Sequence, residues 1–85
     1  MQLPHYYITI TRMDSRFIEV DGVKLRKLRR EQALSQQDIE RETGISQATL
    51  SDLEQGKRGA RTSTLRKLAE VLDVKPRELM KEEQE

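Results

Sequence analysis

The stretch LSQQDIERETGISQATLSDLEQG, residues 34–56, constrains this chain most, because start and stop signals divide it into two short helices joined by a tight turn. Ser35 is a good N-cap, since its hydroxyl can accept from an unpaired N–H of the first turn. Asp38, three residues on, makes a carboxylate version of the capping box. Gly44 stands where the first helix must stop, because a residue without Cβ enters the left-handed region unstrained. Ile45 can plug the core between the helices, Ser46 can cap the second, and Gly56 can close it. Leu50 and Leu53 form an inward stripe with Ile45. Gln47, Ala48, Ser51, Asp52 and Gln55 fall on the opposite face. A face so poor in large apolar groups is either plain solvent surface or a reading surface. The unit is the right size and shape to enter the major groove of duplex DNA.

The rest of the chain offers no competing chemistry. Eighty-five residues make one domain. Such a domain buries only about 60–65% of its unfolded surface, so dimerisation would help it. Without cysteine there is no disulfide, thiolate metal site or cysteine nucleophile. His5 is the lone histidine and reads as a solvated terminal side chain. With no second histidine and no Gly-rich phosphate loop, an enzyme is not expected, nor a metal or cofactor. No apolar run approaches the roughly 20 residues that span a bilayer. No signal peptide is visible. The expectation is a cytoplasmic protein with no membrane partner and no small-molecule pocket. Aromatics that could stack on RNA bases are confined to Tyr6, Tyr7 and Phe17, which makes RNA a weak candidate.

The formal net charge is only +1, which argues against a general polyanion binder. The charges are unevenly placed. Lys24, Arg26, Lys27, Arg29 and Arg30 face one acid, Glu31; Lys57, Arg58, Arg61, Arg66 and Lys67 face none within residues 56–67. Glu78, Glu82, Glu83 and Glu85 outweigh Lys81 at the far end. Such a distribution would orient the molecule on DNA. The first basic run serves equally well as helix-solubilising charge.

Residues 1–21 form an arm or a β-hairpin, since Tyr6 to Thr11 and Phe17 to Val20 are rich in β-branched and aromatic residues. Asp21 and Gly22 mark the turn into a helical domain over residues 22–80, and residues 81–85 form an acidic tail. A helix is predicted over residues 23–32, with Val23, Leu25 and Leu28 inward. Another is predicted over residues 63–72, capped by Thr62 or Ser63. Its Leu65, Leu68, Ala69 and Leu72 repeat at helical spacing. Pro76 suits the first position of a fifth helix, to which Leu79 and Met80 supply the apolar contact.

Residues 34–56 resemble the helix-turn-helix of the Cro/CI-type (XRE) family of bacterial and phage regulators. Leu34, Ser35, Gln36 and Ile39 match its first helix; Gly44, Ile45, Ser46 and Gln47 match its turn and second helix start. Leu50, Leu53, Glu54 and Gly56 match its end. The likeness extends through VKLRKLRREQ upstream and LRKLAEVLDVKPREL downstream, covering roughly residues 22–80. The resemblance implies an all-α, five-helix, lambda-repressor-like fold carrying the N-terminal extension.

It also implies roles. Gln47 would read base edges, with a bidentate fit to adenine. Gln36 would donate to a phosphate and brace Gln47. Ala48 and Thr49 suit the thymine methyl, although Thr49 equally suits a phosphate or simple packing. Ser51 suits a phosphate or a base. Asp52 must accept from cytosine N4 or pair with a neighbouring arginine. Lys57, Arg58 and Arg61 would follow the phosphate backbone. Glu40 departs from the family, which usually has a small residue there. Its stem must bend to water or find a basic partner.

The function these readings support is sequence-specific binding of double-stranded DNA by a transcriptional regulator. A repressor acting as a homodimer on a pseudo-palindromic operator is expected, with recognition helices about 34–36 Å apart. The dimer surface is either the segment around Leu79 and Met80 or the N-terminal strands. The alternative is an antitoxin-type interaction module that autoregulates its promoter, with a protein partner on the N-terminal arm.

Overall fold

Local capping sets three of the helix starts. A computed structural model describes residues 17–82, and in it the Asp21 carboxylate accepts from Lys24 N–H at 3.1 Å to begin α1, Gly22–Glu31. The Ser35 hydroxyl accepts from Asp38 N–H at 2.9 Å, and Asp38 Oδ2 accepts from Ser35 N–H at 2.8 Å. This reciprocal box opens α2, Gln36–Thr43. Ser46 accepts from Thr49 N–H at 3.1 Å and opens α3, Gln47–Glu54. The fourth helix, α4, runs Thr62–Leu72. It starts at Thr62 itself, so neither Thr62 nor Ser63 is its cap; Arg61 precedes it without a side-chain cap bond.

Helix α1 begins at Gly22, one residue earlier than its pattern predicts, and this corrects the core. Val23 is 79% exposed, and the inward row is Gly22, Leu25 and Arg29, with Leu28 partly buried beside it. The cause is a close approach. A Cβ on Gly22 would sit against the backbone oxygens of Glu54 and Leu53, 2.5 Å from the latter. The start of α1 thus lies directly on the end of α3, and Val23, a helical step of about 100° further round, turns to solvent.

Leu25, Ile39, Leu50, Leu53, Leu68, Leu72 and Leu79 are completely buried and come from every helix. Each such side chain contributes about 1.5–3 kcal/mol by leaving water. Val20, Ile45, Ala60, Leu65 and Ala69 complete the core. Gln32 Nε2 donates to the Leu72 carbonyl at 2.6 Å and ties the end of α1 to the end of α4.

The fold is all-α, with four α-helices among the described residues where the resemblance implies five helices. The fifth is a single 3-10 turn, Pro76–Leu79. Pro76 stands at its start as expected and Leu79 is buried, but Met80 is extended and partly exposed. The reason is non-local. Met80 bridges Val20 in antiparallel sense; Asp21 N–H donates to the Leu79 carbonyl at 2.8 Å, and Lys81 N–H to the Glu19 carbonyl at 3.0 Å. Backbone that would extend the helix is paired with residues 19–21 instead. Ile18 bridges Ala60 in the same manner, with N–O distances of 2.7 and 2.9 Å. Residues 17–21 therefore strap the loop after α3 and the C-terminal turn to the helices. The expected strand at Phe17–Val20 is extended, but its described partners are Ala60 and Met80. The other half of the expected hairpin, Tyr6 to Thr11, and the tail beyond residue 82 lie outside the described residues.

Candidate nucleic-acid interface

Helices α2 and α3 are joined by a turn that its own residues stitch together. Gly44 adopts φ +81°, and its N–H donates to the Glu40 carbonyl at 2.8 Å. The Thr43 hydroxyl donates to the Ile39 carbonyl at 2.6 Å and accepts from Ile45 N–H at 3.1 Å. One hydroxyl thus serves both a carbonyl of the last full turn of α2 and a donor of the turn. Ile45 then points into the core. The angle between the two helices is fixed by these short-range bonds and by the side chains beneath them.

Leu50, Leu53 and Glu54 form the inward row of α3. Its outward row comprises exposed Gln47, Ala48 and Gln55, with Ser51 and Asp52 half-buried between them. Gln55 Nε2 donates to Ser51 Oγ at 2.7 Å, joining the last two turns of that row. Thr49 lies on the flank. Ser46 donates to its hydroxyl at 3.0 Å, and it lines a cleft of about 460 Å³ with Arg58, Arg61 and Lys67. Among the described residues no ion pair forms at Asp52.

The cations after α3 are presented by a loop that the strap holds in place. Lys57 and Arg58 are exposed, and Lys57 N–H closes α3 by donating to the Asp52 carbonyl at 2.8 Å. Arg61 is exposed with its guanidinium 5.5 Å from the centre of the Phe17 ring, within cation–π range. Arg58 and Arg61 thus line the cleft on the Thr49 flank of α3, and Lys57 follows directly on the end of that helix.

The two glutamines are held, but not by each other. Gln36 Nε2 donates to Glu54 Oε1 at 3.3 Å, and Gln47 Nε2 donates to Glu40 Oε1 at 3.2 Å. Each therefore leans on a carboxylate in place of the expected brace between them. Glu40 is half-buried and has found a neutral amide, not a basic group, as its partner.

Sequence reasoning missed the buried pair behind this surface. Arg29 belongs by sequence to the basic run of the first helix, yet it is buried, as is Glu54. Arg29 Nε lies 2.6 Å from Glu54 Oε2, Nη2 3.0 Å from Oε1, and Nη1 donates to the Leu34 carbonyl at 2.8 Å. The hydrogen bond to Glu54 raises the guanidinium pKa above its ordinary value, outweighing the opposing desolvation. A sequence signal existed. Arg29 follows Leu25 by four and Glu54 follows Leu50 by four, so opposite charges stand on two inward stripes.

A helix-turn-helix with an accessible second helix and flanking cations defines a DNA-binding class of domain. Comparison with known proteins agrees. A helix-turn-helix family model matches residues 25–79. A helix-turn-helix-type transcriptional regulator of Sinorhizobium fredii, y4dJ, is 42% identical over 59 residues, covering 69% of this chain and 77% of the relative. RghRB, a regulator of the same type from Bacillus subtilis, is 45% identical over 60 residues, which is 69% of this chain but only 43% of that protein. Among solved structures, the restriction-modification controller protein C.AhdI from Aeromonas hydrophila is similar with a TM-score of 0.65 and 36% identity, over 69% of this chain and 89% of its own. The DNA-binding domain of BldD is similar with a TM-score of 0.63 and 27% identity, over 76% and 94%. The chain belongs to the Cro/CI-type (XRE) helix-turn-helix family and carries the DNA-binding domain of a transcriptional regulator. No helix among the described residues is long and apolar enough to cross a membrane.

Proposed function

We propose that this protein is a sequence-specific repressor that binds a pseudo-palindromic operator in double-stranded DNA as a homodimer, in the cytoplasm. The observation that supports this reading most is the outward row of α3: Gln47, Ala48 and Gln55 are exposed, Ser51 and Asp52 are half-buried between them, no large apolar side chain interrupts the row, and Lys57, Arg58 and Arg61 stand exposed in the loop that follows. Gln47 and Ala48 meet base edges in the major groove, and Ser51 and Asp52 follow one turn later. Thr49, on the flank with Arg58 and Arg61, belongs with the phosphates. Gln36, held by Glu54, directs its remaining amide proton at a phosphate near the start of α2. Backbone contacts supply affinity, and the row on α3 supplies choice.

Selection of bound duplexes from a random pool, at stated salt, tests the reading. A recovered site with two related half-sites about one helical turn apart supports it. Recovery of no preferred sequence overturns it, and a single half-site removes the dimer.

A further inference from the structure

Glu40 sits on α2 beside the first turn of α3, and one of its oxygens accepts from Gln47 Nε2 at 3.2 Å. An ionised carboxylate has no proton to donate. Only the nitrogen of the Gln47 amide can face it, so the amide oxygen is turned elsewhere. In open water such a bond contributes little. Against a duplex, water leaves, and an amide turned over would set its oxygen against a carboxylate. The orientation then becomes hard to reverse.

We infer that Glu40 is a positioning residue for base recognition: it locks the Gln47 amide in the orientation that accepts adenine and rejects guanine. The inference rests on Gln47 being a base-reading residue. Adenine presents an acceptor, N7, beside an amine donor, N6; guanine presents two acceptors, N7 and O6. A free glutamine amide serves adenine with one proton and its oxygen, or swings to give guanine O6 a proton. With one proton committed to Glu40, the Gln47 oxygen opposes O6. The carboxylate adds to this selection, since it attracts the exocyclic amines of adenine and cytosine and repels the carbonyl oxygens of guanine and thymine. The same charge is unfavourable beside phosphates. Glu40 therefore lowers affinity for duplexes in general while sharpening the choice among them.

The full chain is titrated at fixed salt against two versions of its selected site, with adenine or guanine at the step that Gln47 contacts. The parent is expected to prefer adenine by about 5- to 150-fold. Glu40→Ala is expected to reduce that ratio to within about threefold while tightening binding to an unrelated duplex. Alanine is the best helix former, and a thermal melt checks that the fold is kept. Glu40→Gln keeps the size but adds a donor, so the amide pair can turn over together. It lowers the same ratio and carries the test if the alanine variant fails to fold. An unchanged ratio in a folded Glu40 variant overturns the inference. Gln47→Ala separates this failure from that of the underlying reading. If it erases the ratio while Glu40→Ala does not, Gln47 reads the base unaided. If it also leaves the ratio intact, or if the parent shows no preference, Gln47 is not the reader.

Discussion

Arg29 and Glu54, 25 residues apart in the chain, meet in a buried two-pronged pair with Nε and Nη2 at 2.6 and 3.0 Å from the two carboxylate oxygens. The pair joins α1 to the end of α3, and Gln36 adds the start of α2 through the same carboxylate. The side chain that steadies Gln36 is thereby steadied in turn by a buried guanidinium. Removing one partner strands the other charge in the interior. Arg29→Ala or Glu54→Ala is expected to destabilise the domain by about 3–5 kcal/mol. The double variant should lose clearly less than the two single losses added together. Denaturant midpoints for all four chains measure the coupling, and additive losses would show that the pair is not the unit described.

Gly22 is the point where α1 and α3 touch backbone to backbone. Gly22→Ala places a methyl group against carbonyl oxygens that belong to a closed helix end, so the helices must separate. A loss of about 1–3 kcal/mol is expected, typical of overpacking. Unfolding by urea at constant slope gives the value. A neutral substitution would mean that α1 can slide without disturbing α3.

Ala33 holds φ +58° in the turn after α1, where Leu34 N–H donates to the Arg29 carbonyl at 3.1 Å and Ala33 N–H to that of Arg30 at 2.9 Å. A left-handed alanine carries about 1–2 kcal/mol of strain. Glycine relieves it but gains unfolded-state freedom worth about 0.4–1 kcal/mol. Ala33→Gly is therefore expected to stabilise the protein by about 0.5–1 kcal/mol. The thermal midpoint should rise by a few degrees, and a fall would place the strain elsewhere.

Asp38 gives the stability a defined acid dependence. The Ser35 backbone N–H, then the Ser35 hydroxyl, and with them Arg41, hold its carboxyl below the usual carboxylate range. Its contribution is complete above the unfolded-state value of about 3.9. It is lost as pH falls through the lower folded-state value, because the unfolded chain binds the proton first. Asp38→Ala should be less stable than the parent at neutral pH, with the two chains converging toward low pH. Urea midpoints across the acid range measure this, and parallel curves would contradict the box.

Much of this was written locally, and the remainder depends on contacts distant in sequence. Ser35, Asp38, Gly44 and Ser46 act within four residues of themselves, so their roles could be read directly. The leucine stripes likewise specified one buried face per helix, and the outward row of α3 followed as their complement. The phase of α1 departs from its apolar pattern because Asp21 starts the helix one residue early and Gly22 must touch α3, which no periodicity records. The last helix is shorter than its sequence suggests because residues 79 and 81 pair with Asp21 and Glu19, some 60 positions away. At the interface, spacing identified Gln36 and Gln47 but not what holds them. Their partners Glu54 and Glu40 become neighbours only when α2 lies across α3.

The contrast between Gln47 and Arg58 separates choice from affinity at the interface. Gln47→Ala removes a bidentate base contact in the proposed complex. It is expected to lose about 1–3 kcal/mol on the selected site and little on unrelated duplexes. Arg58→Ala removes a charge that the loop presents in the open, so it should weaken every duplex alike. Each phosphate contact releases counterions, and its loss should flatten the plot of log affinity against log salt by about one unit. Titrations of both variants at several salt concentrations, on specific and scrambled DNA, give slope and ratio together. A ratio that moves with Arg58 and a slope that moves with Gln47 would exchange their roles. An unmoved slope in Arg58→Ala would place that arginine away from the DNA, leaving Lys57 and Arg61 to grip the backbone.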